Sequence, residues 1–281
     1  MINPIYIRVM NGLANRLRTI QSFYHFSLIK NRPLKICWAI GQGFSEDKFD
    51  DLFENKLDFI SVEQYNKVSE SCVNLEKLFT KDKDRPDNYI LNKSLDYILS
   101  VINNEIFCYH GDSCLEYIFP GQFPLSSCSF LKNLIIKKDI EVKINRIFKK
   151  FTPYTVGVHV RRGDAWSSPW RSYYEVSTDH AFINLMRKEL NKNPEANFFL
   201  ATDCKSTQDL FLELFSEKII SNKEKNFFES VDFKENKPFQ KDALMDMVLL
   251  SRTSRIIGSN WSSFSVIAAK MGGKNFSIAK E

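Results

Sequence analysis

The chain has 281 residues, 43% of them hydrophobic and 26% charged, enough for a substantial core in one large domain or two ordinary ones. Its formal net charge of +5 helps attract an anionic substrate but is too small to argue for nucleic-acid binding. No apolar run approaches the length of a membrane span, and no basic segment followed by an apolar one opens the chain, so it reads as cytosolic with no transmembrane segment.

Tyr6 to Met10 reads as a short first strand running into Asn11-Gly-Leu-Ala-Asn-Arg-Leu-Arg18. Leu13, Leu17, Ile20, Tyr24 and Leu28 then recur at helical spacing, which puts the glycine and asparagine on a strand-to-helix turn and Arg16 and Arg18 in the first helical turn. Leu34 to Ile40 is a second strand, with Cys37 as a small core residue. From 44 to 135 short apolar pieces such as Leu57–Val62 and Tyr89–Leu99 alternate with charged stretches and define no clear order. Residues 137–153 form a basic amphipathic helix approaching a second domain. The expected division is therefore 1–150 and 151–281. Six cysteines (Cys37, Cys72, Cys108, Cys114, Cys128 and Cys204) show no Cys-x-x-Cys spacing and are expected as free thiols, although Cys108, Cys114 and Cys128 are close enough to bridge in an oxidising compartment.

The second half has a clearer pattern. A strand at 154–160 precedes a helix near 178–191, a strand at 197–202 and a helix near 206–216, whose start carries the capping-box spacing of Ser206 and Asp209. A strand at Asn226–Glu229, a helix at Asp242–Arg252, a strand at Arg255–Gly258, a helix at Ser262–Met271 and a last strand at Asn275–Ile278 follow. Strands alternating with helices imply a doubly wound parallel sheet.

Polar clusters fall where strands end. The apolar run 154–160 closes on His159-Val-Arg-Arg-Gly-Asp164. Two arginines at the carboxyl end of a buried strand suit phosphate oxygens, because their planar forks are always charged and such strand ends are where open α/β sheets bind ligands. A bland alternative makes Gly163-Asp164 a turn and both arginines members of ion pairs. Asp203 ends the next strand at the same sheet edge as Arg161. Ser262 and Ser263 open a helix, where free N–H groups and hydroxyls can meet phosphate or simply cap the helix. Asp246 interrupts an apolar helix face and needs a partner, either a guanine ring or Arg252 or Arg255. His159 is either a satisfied core histidine or a ligand contact.

Together these segments resemble the GDP-fucose-dependent fucosyltransferases with a GT-B fold, a superfamily that includes α-1,2-, α-1,6- and protein O-fucosyltransferases. The motifs are His159-Val-Arg-Arg162, Gly12-Leu-Ala-Asn-Arg16, Leu200-Ala-Thr-Asp203, and Met245-Asp246 through Ser259-Asn-Trp-Ser-Ser263. The resemblance runs over 8–20 and 154–273 and implies two Rossmann-type α/β domains with a nucleotide-sugar cleft between them. It implies an inverting enzyme, with no metal and no cofactor, that moves fucose from GDP-fucose to a glycan acceptor. Arg161 would hold the β-phosphate and the developing leaving-group charge, and Arg162 would support the diphosphate or the domain edge. His159 and Asp246 would contact ribose or guanine, Asp203 would shape the pocket, and Ser262 and Ser263 would donate to phosphate. Asn15 and Arg16 would reach across the cleft.

The departure lies in the catalytic base. The loop after the arginine pair has no acid until Glu175, so the base stays open between Asp164, Glu175 and none. Trp166 and Trp170 either stack on an acceptor sugar or pack as core or lid. A donor with another nucleotide-sugar, and a nucleotide-binding protein without transfer activity, remain alternative readings.

Overall fold

A computed structural model describes residues 3–41, 47–81, 89–111, 113–119, 129–162, 175–227 and 240–281. The chain divides into two compact units, one running to Ile135 and the other from Ile136 onward, with Asp47 grouped with the second. Each is built around a parallel sheet, so the expected class of two Rossmann-type α/β domains is the observed one.

In the first unit the strands are β1 (Ile5–Val9), β2 (Leu34–Trp38), β3 (Val73–Asn74), β4 (Phe79–Lys81), β5 (Tyr89–Leu91) and β6 (Phe107–Gly111). Four of them form a parallel sheet in the order β2-β1-β6-β3, and β4 and β5 pair as a separate antiparallel ribbon. β1 alternates fully buried Ile5, Ile7 and Val9 with half-buried neighbours. The helix Leu13–Lys30 lays Phe23 and Phe26 on the β6 rings, Phe23 stacking on Tyr109 at 5.1 Å. Gly12 stands at the N-cap of this helix and Arg16 in its first turn, as expected, whereas Arg18 falls in its second. Asn11, not Gly12, takes the left-handed conformation, at φ 65°, whereas Gly12 is extended. Asparagine tolerates that region better than most residues with a Cβ. β6 lies inside the sheet yet has no signal in the sequence beyond five residues of mixed polarity. The region that resists reading also holds the helices Val62–Ser69, with a Ser61/Gln64 capping box, and Leu95–Asn104.

The second unit contains β7 (Thr155–Val160), β8 (Asn197–Thr202), β9 (Ile219–Ser221), β10 (Ile256–Gly258) and β11 (Phe276–Ile278), all parallel in the order β11-β10-β7-β8-β9. β7 is central, and all six of its residues are buried, as expected for a strand covered on both faces. Val156, Val158 and Val160 pack with Phe182, Met186 and Phe211 from the helices Asp179–Lys192 and Lys205–Phe215. On the opposite face a Cβ at Gly157 would come within 2.8 Å of the Thr253 hydroxyl and 2.9 Å of a Leu250 methyl in the helix Gln240–Ser251, so any larger residue would push this close layer apart. The helix Lys138–Phe148 belongs to this unit, where Arg252 bonds Asn145 (2.8 Å) and covers the Phe148 ring.

Two local expectations need correction, and one strand lies where none is expected. That short strand is Ile219–Ser221, three residues with no alternating pattern around them. Asn226 and Phe227 are outside any strand, and 228–229 fall outside the described residues. The helix start near 206 is not a capping box: Cys204 occupies the N-cap, Ser206 is already helical, and Asp209 pairs with Lys205 one turn back. Cys37, Cys72, Cys108, Cys114 and Cys204 are free thiols, and Cys128 lies outside the described residues. Among the described residues no helix is long and apolar enough to cross a membrane.

Candidate functional site

Strand register builds the site. His159 on β7 lies opposite Ala201 on β8 and Gly258 on β10, so all three strands end within a residue of one another. The next residues, Arg161, Asp203 and Ser259, therefore emerge at one carboxyl edge of the sheet, where open α/β folds bind ligands. Ser259 ties the edge together. Its N–H donates to the His159 carbonyl (3.1 Å), and its hydroxyl accepts the Arg161 N–H (2.9 Å).

The two arginines diverge. Arg161 Nη1 sits 2.6 Å from Asp203 Oδ2, close enough for an ion pair but off the hydrogen-bond axis, and its side chain keeps 28% of its exposure. Arg162 is 1% exposed and turned inward. It donates to the Arg161 carbonyl (2.8 Å), the Ser177 carbonyl (2.9 Å) and Asp179 Oδ1 (2.7 Å), with Phe182 beside the guanidinium. Its backbone N–H donates to Asp203 Oδ1 at 2.7 Å. Burial opposes charge on Asp203, but Arg161, the Arg162 N–H and Lys225 outweigh it and hold the carboxyl below its ordinary range.

His159 is buried, stacked 4.7 Å from the Phe264 ring, with Nδ1 2.7 Å from the Ser265 hydroxyl. Burial is the main force lowering its pKa, to about 3; Asp203 pulls the other way, and three nearby cations add to the fall. The imidazole is therefore neutral at physiological pH, a polar contact rather than a proton carrier.

Asp246 is 2% exposed and pairs with neither Arg252 nor Arg255. Arg252 turns to Asn145, and Arg255 to Glu189. The partner is Lys225, whose ammonium donates to Asp246 Oδ2 and to the Thr202 carbonyl. Asp246 Oδ1 is buried and has no hydrogen-bond partner among the described residues. Burial raises the Asp246 pKa; Lys225 opposes the rise, and Asp242 and Asp203 add to it.

Ser262 stands at the N-cap of the helix Ser263–Gly272 without making a side-chain cap bond. Trp261 before it is 45% exposed and has φ 55°, a strained conformation for a bulky residue, of the kind that clusters at ligand-binding turns. Glu175 is exposed, and Asp164, Trp166 and Trp170 lie outside the described residues. Asn15 and Arg16 belong to the first unit. Arg16 is fully buried there, donating to the Asn11 carbonyl (2.8 Å) and stacked 4.6 Å over Trp38, and burial lowers its pKa to about 10. The second unit thus brings His159, Arg161, Arg162, Asp203 and Asp246 into one electrostatic cluster beside Ser262 and Ser263. Sequence reasoning missed Lys225, Ser259, Ser265 and Asp179. Only Ser259 lay in a quoted motif, and Lys225 sits in a charged turn with no periodic signal. Among the described residues no group of three or more His, Cys, Asp or Glu side chains is placed to hold a metal.

This arrangement sits on a known framework. No protein-family model and no curated sequence matches the chain. Among solved structures, the α-1,6-fucosyltransferase NodZ of Bradyrhizobium soaked with GDP-fucose matches with a TM-score of 0.61 at 19% identity, over 96% of this chain and 92% of that one. An Arabidopsis thaliana FUT1 variant in complex with GDP gives 0.61 at 13%, over 99% and 70%. POFUT1 in complex with GDP-fucose gives 0.58 at 11%, over 99% and 98%. The chain shares the fold of these fucosyltransferases. At such identities the likeness is one of fold, and the chemistry must be argued from the residues at the sheet edge.

Proposed function

We propose that the chain is an inverting, metal-independent glycosyltransferase that moves fucose from GDP-fucose to a hydroxyl of a glycan acceptor. The observation that carries this is the pairing of a partly exposed Arg161 with Asp203 at the carboxyl edge of the central strand, beside a buried Asp246 carrying an unpartnered oxygen. The fold is shared with structures solved with GDP and GDP-fucose, and the strand-end segments resemble the motifs of the GDP-fucose-dependent superfamily.

In this mechanism GDP leaves with added negative charge while the sugar passes through an oxocarbenium-like state. Arg161 stabilises the leaving diphosphate, since Asp203 holds its fork in place before the donor arrives and no reorganisation is needed at the moment of reaction. Ser262 and Ser263 bring hydroxyls and the N-terminal N–H groups of the helix Ser263–Gly272 toward phosphate. Neutral His159 offers a hydrogen bond without adding charge, and Asp246 accepts from guanine. Arg162 acts one step back, holding the edge through Asp179 and Ser177. Asp164 and Glu175 are the candidates for the base that takes the acceptor proton. Arginine and helix-end donors supply the charge stabilisation that a metal would otherwise give.

Thermal stabilisation by nucleotide-sugars tests the donor. GDP-fucose should raise the melting temperature more than UDP- or CMP-sugars, and equal stabilisation by UDP-sugars would overturn the assignment. Release of fucose from GDP-fucose by the purified protein separates an enzyme from a binder. That activity should persist in EDTA. This control bears also on Asp82 and Asp84, whose Asp-x-Asp spacing suits a metal and which lie outside the described residues.

A further inference from the structure

We infer that Lys225 reads the nucleotide base together with Asp246, the two forming a donor–acceptor pair for the O6 and N1–H edge of a 6-oxopurine. This rests on the proposed guanine-nucleotide site and adds to it a specificity residue and the atoms it recognises.

Hydrogen-bond accounting leads to the pair. Lys225 follows β9 and its side chain is only 13% exposed. An ammonium carries three protons. One goes to Asp246 Oδ2 and one to the Thr202 carbonyl at the end of β8, leaving one. A carboxylate has two oxygens. Oδ2 of Asp246 is taken by Lys225, and Oδ1 is buried with no partner. The pair therefore offers one unspent donor beside one unspent acceptor, at the sheet edge where the nucleotide is proposed to lie. A buried acceptor left unsatisfied is costly, and a ligand N–H would relieve it.

The shape of that offer is informative. A carboxylate acting alone would receive both N1–H and the exocyclic amine of guanine through its two oxygens. Here Lys225 lies on the Oδ2 side, so a base whose O6 meets the ammonium sets N1–H on Oδ1 and carries its amine to the side away from Oδ2. The neighbouring base atom on the other side is O6, an acceptor that suits the remaining Lys225 proton. Adenine presents donor and acceptor in the reverse order. Uracil carries the same edge closer to its ribose and would fall short of the pair.

Calorimetric titration of the full chain with GDP, IDP, ADP and UDP tests this, IDP being the guanine nucleotide without its amine. IDP should bind within about threefold of GDP, while ADP and UDP bind at least about tenfold more weakly. Lys225→Met should weaken GDP and IDP alike, by about tenfold or more. A wild-type preference for GDP over IDP well beyond tenfold would show that the amine is read and would overturn the role of Lys225, while leaving the guanine site intact. A folded Lys225→Met protein with unchanged GDP affinity would do the same. Equal binding of all four nucleotides, or of none, would instead overturn the nucleotide site itself. The wild-type comparison of GDP with IDP stands without any variant, which matters because Lys225→Met leaves Asp246 buried and unpaired.

Discussion

Arg161 and Arg162 are adjacent in sequence but should fail in opposite ways when each is changed to lysine. Arg161 keeps 28% of its side-chain exposure and, among the described residues, pairs with Asp203. Lysine at 161 retains the charge facing Asp203, so the folded state should lose less than about 1 kcal/mol, the usual scale of partly exposed pairs. It loses the planar fork that would grip the leaving phosphate. Removing one such donor costs about 3–4 kcal/mol in the transition state, or roughly 10²–10³ in rate, expressed mainly in kcat because the contact strengthens as charge develops. Arg162 is 1% exposed, and among the described residues its side chain donates to three separate acceptors. Lysine cannot span that set, and breaking a buried pair costs about 3–5 kcal/mol. The low end applies, since Asp179 is 29% exposed. About 3 kcal/mol corresponds to a fall of roughly 6–12 °C in melting temperature for a chain of this size. The assay measures turnover of GDP-fucose beside thermal unfolding for both variants. Arg161→Lys should unfold normally and turn over slowly; Arg162→Lys should unfold early while the folded fraction turns over near normally. A destabilised Arg161→Lys protein with normal kcat would refute the argument, because it would make Arg161 the structural arginine.

His159 should make the protein acid-sensitive. Its pKa falls from 6.5 in the unfolded chain to about 3 in the folded one, so below pH 6.5 the unfolded state takes up a proton that the folded state refuses. Stability present above pH 6.5 should then be lost at about 1.4 kcal/mol per pH unit, or ~2 kcal/mol by pH 5. Denaturant titrations at pH 5 and pH 7 should show that slope, and His159→Gln should flatten it whatever its baseline stability. Asp203, also depressed, adds its own loss only below its ordinary value of 3.8, a separate window. Glycines should divide by packing. A Cβ at Gly272 would overlap the Ser251 carbonyl, so Gly272→Ala should cost about 1–3 kcal/mol in chemical denaturation. Gly12 has an ordinary φ of −66° and nothing within 4 Å of a Cβ, so Gly12→Ala should unfold at the wild-type temperature.

The sequence alone determined the second unit in most of its elements. β7, β8, β10 and their helices were legible because buried parallel strands read as unbroken apolar runs and the helices between them keep a helical period. The chemistry at the strand ends was legible for a related reason: His159, Arg161 and Asp203 are polar residues placed where an apolar run stops. The first unit was less readable, since β3, β4 and β5 are two or three residues long and β6 gains its burial from neighbours far away in the chain. Only tertiary structure decided the partners. Nothing in the spacing separates two consecutive arginines, yet strand geometry sends Arg161 to the sheet edge and Arg162 inward to Asp179. Asp246 has arginines six and nine residues away, but its counter-ion is Lys225, 21 residues earlier in a charged turn. An ion pair is set by which side chains the fold brings within a few ångströms and shields from water, and local sequence carries no record of that distance.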